Sequence, residues 1–452
     1  MKKFLTYGLL LILIAGTITF IIYYPRLNLI TGFAAKNVCS CLFEADRTLE
    51  SVEAGDNDFE PVSYAKTEVD HSERSASAKV FGLKKRKAVY REGLGCTLLP
   101  ENASSDDLSP VAPQRNFTPN PAPYPGGEGE PTDTVFAEVD EHKLQEAVNF
   151  AFEPAHRTRA VLVLYRDHLI FEKYAEGFSA ETKMQGWSMT KSITSAVLGA
   201  LERQGKLSLD ETHLFPEWEN DRRSEITLNQ LIQMNSGLEW EEDYTKISDV
   251  TKMLFLARDM GKVQLEKELT GTPGNSFNYS SGISNLLSRY IRNNFDSHQE
   301  YLDFWYSNVI DAIGMHSMTL ETDFSGNYVG SSYSWATARD WAKFGLLYLN
   351  RGKWNGEQIL NESWVDYTVT PAKGSEGVYG AHFWLNAGGF YPDVPKDLFS
   401  ANGFQGQHVF IIPSKDLVVV RLGLIEHPEF DMNAFLSGIH SAIEDPSVAG
   451  IP

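Results

Sequence analysis

The hydrophobic pattern divides the chain into stretches of different character. Residues 4–24 form an apolar run broken only by Thr6, Gly8, Gly16, Thr17 and Thr19, with Lys2 and Lys3 ahead of it. A run of that length spans a bilayer, and the two lysines set its N-terminal side in the cytoplasm. The pattern predicts an uncleaved signal anchor over residues 1–35, with the rest of the chain exported and tethered to the cell membrane. Residues 36–99 are charge-rich and carry short strand-like runs such as 87–91. From 100 to 134 the composition turns to Pro, Gly, Ser, Asn and acidic residues, which reads as a linker or as a segment wrapping a surface.

From residue 135 onward the periodicity alternates between helix and strand. Residues 139–152 predict a helix. Residues 159–165 and 169–174, on either side of Arg166-Asp167-His168, predict a hairpin. The apolar run that follows Ser188 closes at Gly205 and reads as a buried helix. A short helix over 226–234 is stopped by Asn235-Ser236-Gly237, and a mostly helical middle region extends to about Leu349. A second hairpin (409–412 and 417–422) precedes a last helix over 431–444. Hairpins at both ends with helices between predict an α+β fold: an antiparallel sheet built from both ends of residues 135–452, flanked by helices.

Composition narrows the partners. A net charge of −20 over 452 residues argues against nucleic acid, whose phosphates need a basic surface. The cysteines (Cys39, Cys41 and Cys96) show no zinc-ligand spacing, and no cofactor motif is present. In an oxidising compartment Cys96 is expected to bridge to Cys39 or to Cys41; Cys39 and Cys41 are too close to bridge each other comfortably.

The candidate chemistry centres on Trp187-Ser188-Met189-Thr190-Lys191. Positions three apart share a helix face, so the Lys191 amine lies beside the Ser188 hydroxyl. Burial favours the neutral, basic lysine, and the helix N-terminus stabilises a developing alkoxide. A weak nucleophile is activated this way without histidine. A second Ser-x-x-Lys, Ser63 to Lys66, runs into a polar stretch with no apolar helical face and reads as coincidence. A Ser-His-Asp hydrolase is disfavoured because Gly186-Trp187-Ser188-Met189-Thr190 lacks the second glycine of a nucleophile elbow.

Two further blocks follow. The turn-rich stretch from Gly271 to Gly282 presents Tyr279 just ahead of a helix, positioned to take or relay the Ser188 proton. The alternative Tyr306-Ser307-Asn308 lies in a run of helical-core character. Residues 399–408 bring glycines to a strand edge at Ala401, Asn402, Gly403 and Phe404, where an N–H joins that of Ser188 as an oxyanion hole. Trp187, Ser281, Tyr333 and Trp384 are candidates for substrate contact. Glu242, Asp243 and Tyr244 are candidates to line the mouth of the cleft, though a solvated acidic loop is the preferred reading.

These three blocks, in this order, resemble the serine β-lactamase and penicillin-binding-protein superfamily. The similarity is greatest to the branch of class C β-lactamases, family VIII esterases and 6-aminohexanoate-dimer hydrolases. Supporting phrases run from Ile226 through Leu238, from Pro273 through Gly282, from Ala336 through Trp341 and from Gly406 to Pro413, within residues 135–444. The resemblance implies that Ser188 is the acyl-enzyme nucleophile and that Lys191 and Tyr279 share the general acid/base role. It departs at two points: Ser281 stands where class C β-lactamases have asparagine, and Ala401-Asn402-Gly403 replaces Lys-Thr-Gly. Without that lysine a substrate carboxylate loses its anchor. The expectation is an esterase or amidase acting on a small-molecule ester or amide, with little β-lactamase activity. The rival expectation is a binding or sensor module on the same fold.

Overall fold

In the computed structural model, residues 2–425 and 428–443 are described. Helix α1 (Lys2–Tyr23) has 22 residues, and its large apolar side chains Phe4, Leu11 and Ile12 are exposed. Among the described residues no helix is long and apolar enough to cross a membrane, so the expected span finds no support in the fold. Helix α2 (Leu27–Phe43) is buried from Thr31 through Cys41. The boundary expected at residue 35 therefore falls inside a core helix.

Helix α2 packs on a four-stranded antiparallel meander of β1 (Ala65–Asp70), β2 (Ser75–Val80), β3 (Leu83–Arg91) and β4 (Gly95–Leu98). A disulfide between Cys39 and Cys96, with Cα atoms 6.0 Å apart, staples α2 to β4. Cys41 keeps a buried thiol, whose pKa burial pushes up to about 12. The buried Glu321 carboxylate ties this layer to the rest of the molecule. It pairs with Lys36 of α2 and accepts from Ser40 Oγ at 2.7 Å, Cys96 N at 2.7 Å and Trp335 Nε1 at 2.9 Å. Several donors around one buried carboxylate offset the cost of desolvating it. Residues 100–134 wrap the surface: Arg115 forks onto Asp311, and the Tyr124 hydroxyl donates to Arg339 O at 2.9 Å.

The central sheet is antiparallel throughout. It combines β5 (Thr158–Tyr165) and β6 (His168–Tyr174) with β7 (Trp384–Leu385), β8 (Phe399–Gly403), β9 (Gln407–Ile412) and β10 (Leu417–Gly423), in the order β7-β8-β9-β10-β5-β6. Both ends of the domain meet where β10 pairs with β5, Val419 opposite Val163. The period-two alternation of these strands serves two cores. Leu162, Leu164, Val409, Val418 and Val420 face α4 (Thr190–Arg203) and α6 (Ala338–Leu349), the helix α5 (Ser281–Asn293) lying beyond. Val161, Val163, Phe410 and Val419 face α3 (Glu141–Ala151) and α7 (Met432–Ser441). The last helix ends earlier than expected, and Glu444 lies outside the described residues.

Candidate active site

Ser188 sits on a 3-10 turn, Trp187–Met189, that runs directly into α4. Gly186 N donates to Ser334 O at 2.8 Å, and the Thr190 hydroxyl donates to Trp187 O at 2.7 Å, which fixes the turn from both sides. Trp187 holds a left-handed backbone, φ +46°, uncommon for a bulky residue and costly unless its surroundings enforce it. They do: its ring stacks on Phe33 of α2 at 5.9 Å and meets the edges of Tyr244, Tyr333 and Phe404. The N-terminal layer thus forms part of the scaffold behind Ser188.

Lys191 lies one turn on, wholly buried, with Nζ 2.8 Å from Ser188 Oγ, 2.9 Å from Ser281 Oγ and 3.1 Å from Ser331 O. Burial lowers its pKa to about 8, against the opposing pull of Glu242. The amine is thereby available in its basic form close to neutral pH.

Tyr279 is placed by the helix that follows it. Ser280 caps α5 by accepting from Ile283 N at 3.0 Å, leaving the preceding tyrosine beside the cleft. Its ring centre is 4.8 Å from Lys191 Nζ. Behind it, Ser281 donates through its hydroxyl and its N–H to the two oxygens of Glu242, the N–H bond measuring 2.8 Å. Glu242 also accepts from Trp240 Nε1. A continuous chain runs Ser188–Lys191–Ser281–Glu242.

The opposite wall is the edge of β8. An added Cβ at Gly403 would lie 2.2 Å from Gly186 O, and one at Gly186 would lie 2.4 Å from Trp341 Cζ2. Only glycine allows the strand edge to approach the Ser188 turn this closely. Between these walls a cavity of about 470 Å³ opens, lined by Ser188, Glu242, Tyr244, Tyr279, Trp384 and Phe404 and extending along β8 past Asn402. Among the described residues no cluster of metal-ligating side chains occurs.

The sequence model of the beta-lactamase family matches residues 145–436, well over half of the chain. The chain belongs to the beta-lactamase family. It is 24% identical over 299 residues to the 6-aminohexanoate-dimer hydrolase of Paenarthrobacter ureafaciens, covering 60% of this chain and 74% of that one. It is likewise 24% identical over 210 residues to Protein flp of Staphylococcus aureus (strain COL), covering 43% of this chain and only 40% of that protein. The crystal structure of a family VIII carboxylesterase superposes with a TM-score of 0.54 at 14% identity, covering 69% of this chain and all of that one. At that identity the likeness is one of fold.

Within this beta-lactamase-family domain the structure brings Ser188, Lys191, Tyr279, Trp384, Asn402, Gly403 and Phe404 to one cleft. Four expected contacts fall elsewhere. Trp187 and Tyr333 are not among the cavity-lining residues: both are buried in the aromatic cluster, Tyr333 donating to Leu254 O at 3.3 Å. Ser281 is fully buried and serves the hydrogen-bond chain rather than the cavity. Ala401 alternates away from the cleft and joins the core beneath the sheet. Glu242, for which the sequence favours a solvated acidic loop over a place at the cleft mouth, joins the site, and so does His408, which the sequence does not single out.

Proposed function

We propose that the protein is a serine hydrolase that cleaves an ester or amide bond through an acyl-enzyme on Ser188. The observation that carries this reading is the buried Lys191 amine 2.8 Å from Ser188 Oγ, with its pKa lowered to about 8. Neutral Lys191 accepts the Ser188 proton as Oγ attacks the carbonyl carbon. The tetrahedral oxyanion is stabilised by the N–H groups of Ser188 and Phe404, on the turn and strand edge that the Gly186–Gly403 approach holds together. Collapse breaks the C–O or C–N bond, and the leaving alcohol or amine takes the proton from Lys191 directly or through Tyr279. Water then attacks the acyl-enzyme by the same route, releasing the acid and restoring Ser188.

The substrate is one not held by a carboxylate. Ala401 occupies the strand position where β-lactamases and transpeptidases carry lysine, and among the described residues no lysine or arginine lines the cavity. The relatives named for 6-aminohexanoate-dimer hydrolysis and for carboxylesterase activity agree with an amide or ester target. We infer the membrane tether and export from the apolar run 4–24 behind Lys2 and Lys3, and from the Cys39–Cys96 disulfide, which suits an oxidising compartment. Membrane fractionation against a variant lacking residues 1–24 tests that point.

The test of the activity is turnover of short-chain p-nitrophenyl esters, a 6-aminohexanoate dimer and nitrocefin by the full chain and by Ser188→Ala. Ester or amide turnover that drops at least a thousandfold in the variant is expected. Efficient nitrocefin turnover overturns the substrate assignment. Labelling of Ser188 by a fluorophosphonate without turnover of any substrate points instead to a receptor.

A further inference from the structure

The cavity does not stop at the catalytic cluster. Strand β7 pairs with β8 only at Phe399 and Ser400, so the edge of β8 beyond Ser400 is open on that side. The cavity passes over this edge to the outer face of the sheet, where Tyr391, Leu398 and Met432 of α7 close around it. Ser400 and Asn402 alternate with Ala401 and line this outer arm, together with His408.

His408 is the unusual member. It faces Asn402 across the β8–β9 pair and is 7% exposed, its ring stacked on Phe410 at 4.8 Å. Its Nδ1 lies 2.9 Å from Asn402 Oδ1. A carbonyl oxygen only accepts, so Nδ1 carries the proton and Nε2 presents its lone pair. Nε2 is buried and, among the described residues, has no hydrogen-bond partner. An unsatisfied buried acceptor is costly, and in a ligand cavity it marks a place where the ligand supplies the missing donor.

We infer that this outer arm is a chain-binding subsite, in which His408 Nε2 accepts a hydrogen bond from a hydroxyl or amide N–H on an otherwise apolar chain of the substrate. The inference rests on the hydrolase reading of Ser188 and names the substrate class for it. The donor must be neutral. Arg421, fully buried, stands opposite His408 in the next strand pair and disfavours an ammonium group. A carboxylate is repelled by the Nε2 lone pair. Arg421 also adds to burial in holding the imidazole neutral, its pKa lowered to about 3. The apolar remainder of the chain packs against Leu398 and Met432.

The experiment compares kcat/KM of the full chain for p-nitrophenyl octanoate with a series bearing one hydroxyl at successive carbons. Esters carrying the same series in the alcohol part test the leaving-group side. A preference of about tenfold is expected where the hydroxyl reaches Nε2. In His408→Phe, which keeps the ring stacked on Phe410, the ratio falls to near one. The 15N resonances of the His408 imidazole, titrated with 1,8-octanediol, read the same contact in the unaltered chain without turnover; Nε2 is expected unprotonated and shifted on binding. Equal kcat/KM across the series with an unmoved Nε2 resonance overturns the subsite and leaves the hydrolase reading intact. A shifted Nε2 resonance with no ester turnover and no labelling of Ser188 overturns the hydrolase reading alone.

Discussion

Glu242→Gln removes a charge that stands one hydroxyl away from Lys191. Ser281 Oγ is 2.9 Å from Nζ and donates to the carboxylate at 2.5 Å. Two unit charges about 5 Å apart attract by roughly 3 kcal/mol at an effective dielectric of about 20, and by under about 1 kcal/mol in bulk water. Glu242 is half-buried and lines the open cavity, so its effect lies between these limits, roughly one pH unit. The carboxylate favours the ammonium form and so raises the lysine pKa against the stronger lowering by burial. Glutamine withdraws that support, and the pKa falls further. The assay is kcat/KM for a p-nitrophenyl ester as a function of pH. In the unaltered chain activity rises as Lys191 loses its proton, with a midpoint at about 8. In the variant that midpoint moves down by roughly one unit, and the plateau drops because an amide oxygen replaces only one of two carboxylate acceptors. An unchanged or raised midpoint refutes the electrostatic argument and leaves Glu242 as an orienting partner of Ser281 only.

Other consequences follow from the same structure. Gly403→Ala puts a methyl 2.2 Å from Gly186 O, and the displaced strand edge is expected to lower kcat/KM about a hundredfold while urea unfolding shows a smaller loss. Glu321→Leu leaves Lys36 buried and unpaired, for an expected loss of about 3–5 kcal/mol in denaturant unfolding; a loss below about 1 kcal/mol contradicts the role given to that carboxylate. Cys39→Ser opens a cross-link spanning 57 residues and is expected to cost about 4 kcal/mol, read as a lowered Tm that matches the unaltered chain under reductant. His382 and His408 stay neutral in the folded state down to about pH 3, whereas an unfolded imidazole titrates near pH 6.5. The unfolded chain binds more protons in that window, so stability is full above about 6.5 and falls as pH is lowered toward 3, and urea midpoints along that range should fall with it.

The sheet was legible because its strands are short apolar runs rich in Val, Leu and Ile and its two hairpins carry turn residues at Arg166-Asp167-His168 and at Pro413 to Asp416. The helix after Ser188 was legible for a related reason: an apolar run closed by Gly205 has few alternatives. The N-terminal layer was not. Helix α2 contains Lys36, Asn37, Ser40 and two cysteines, a polar content that reads as surface until Glu321, 285 residues away, takes up Lys36. Long-range ionic partners leave no local periodicity. The same blindness explains Trp187 and Tyr333, whose aromatic character fits a substrate wall as well as the core they form with Phe33. His408 was invisible because its meaning depends on the register that sets it opposite Asn402.

Register and charge together give the cleft its sign. The lysine of Lys-Thr-Gly would have placed a cation on β8, but Ala401 joins the core there, and its neighbour Asn402 turns outward to hold His408. On the facing wall Glu242 contributes a carboxylate at the cavity surface, and among the described lining residues it has no basic counterpart. Lys191 offsets Glu242 only while protonated; above its pKa of about 8, where the amine serves as base, it is neutral and the carboxylate stands alone. A substrate carboxylate near Glu242 therefore meets repulsion where relatives with the strand lysine would offer attraction, and the net charge of −20 works in the same direction at longer range. On the proposed reading, the absence of a strand cation and the Glu242 carboxylate at the cavity surface both disfavour anionic substrates. Raising the ionic strength should leave kcat/KM for a neutral ester nearly unchanged and should improve it for a carboxylate-bearing ester of equal length, because screening acts on the repulsion alone. A carboxylate ester that is the better substrate at low salt contradicts this account of the cleft.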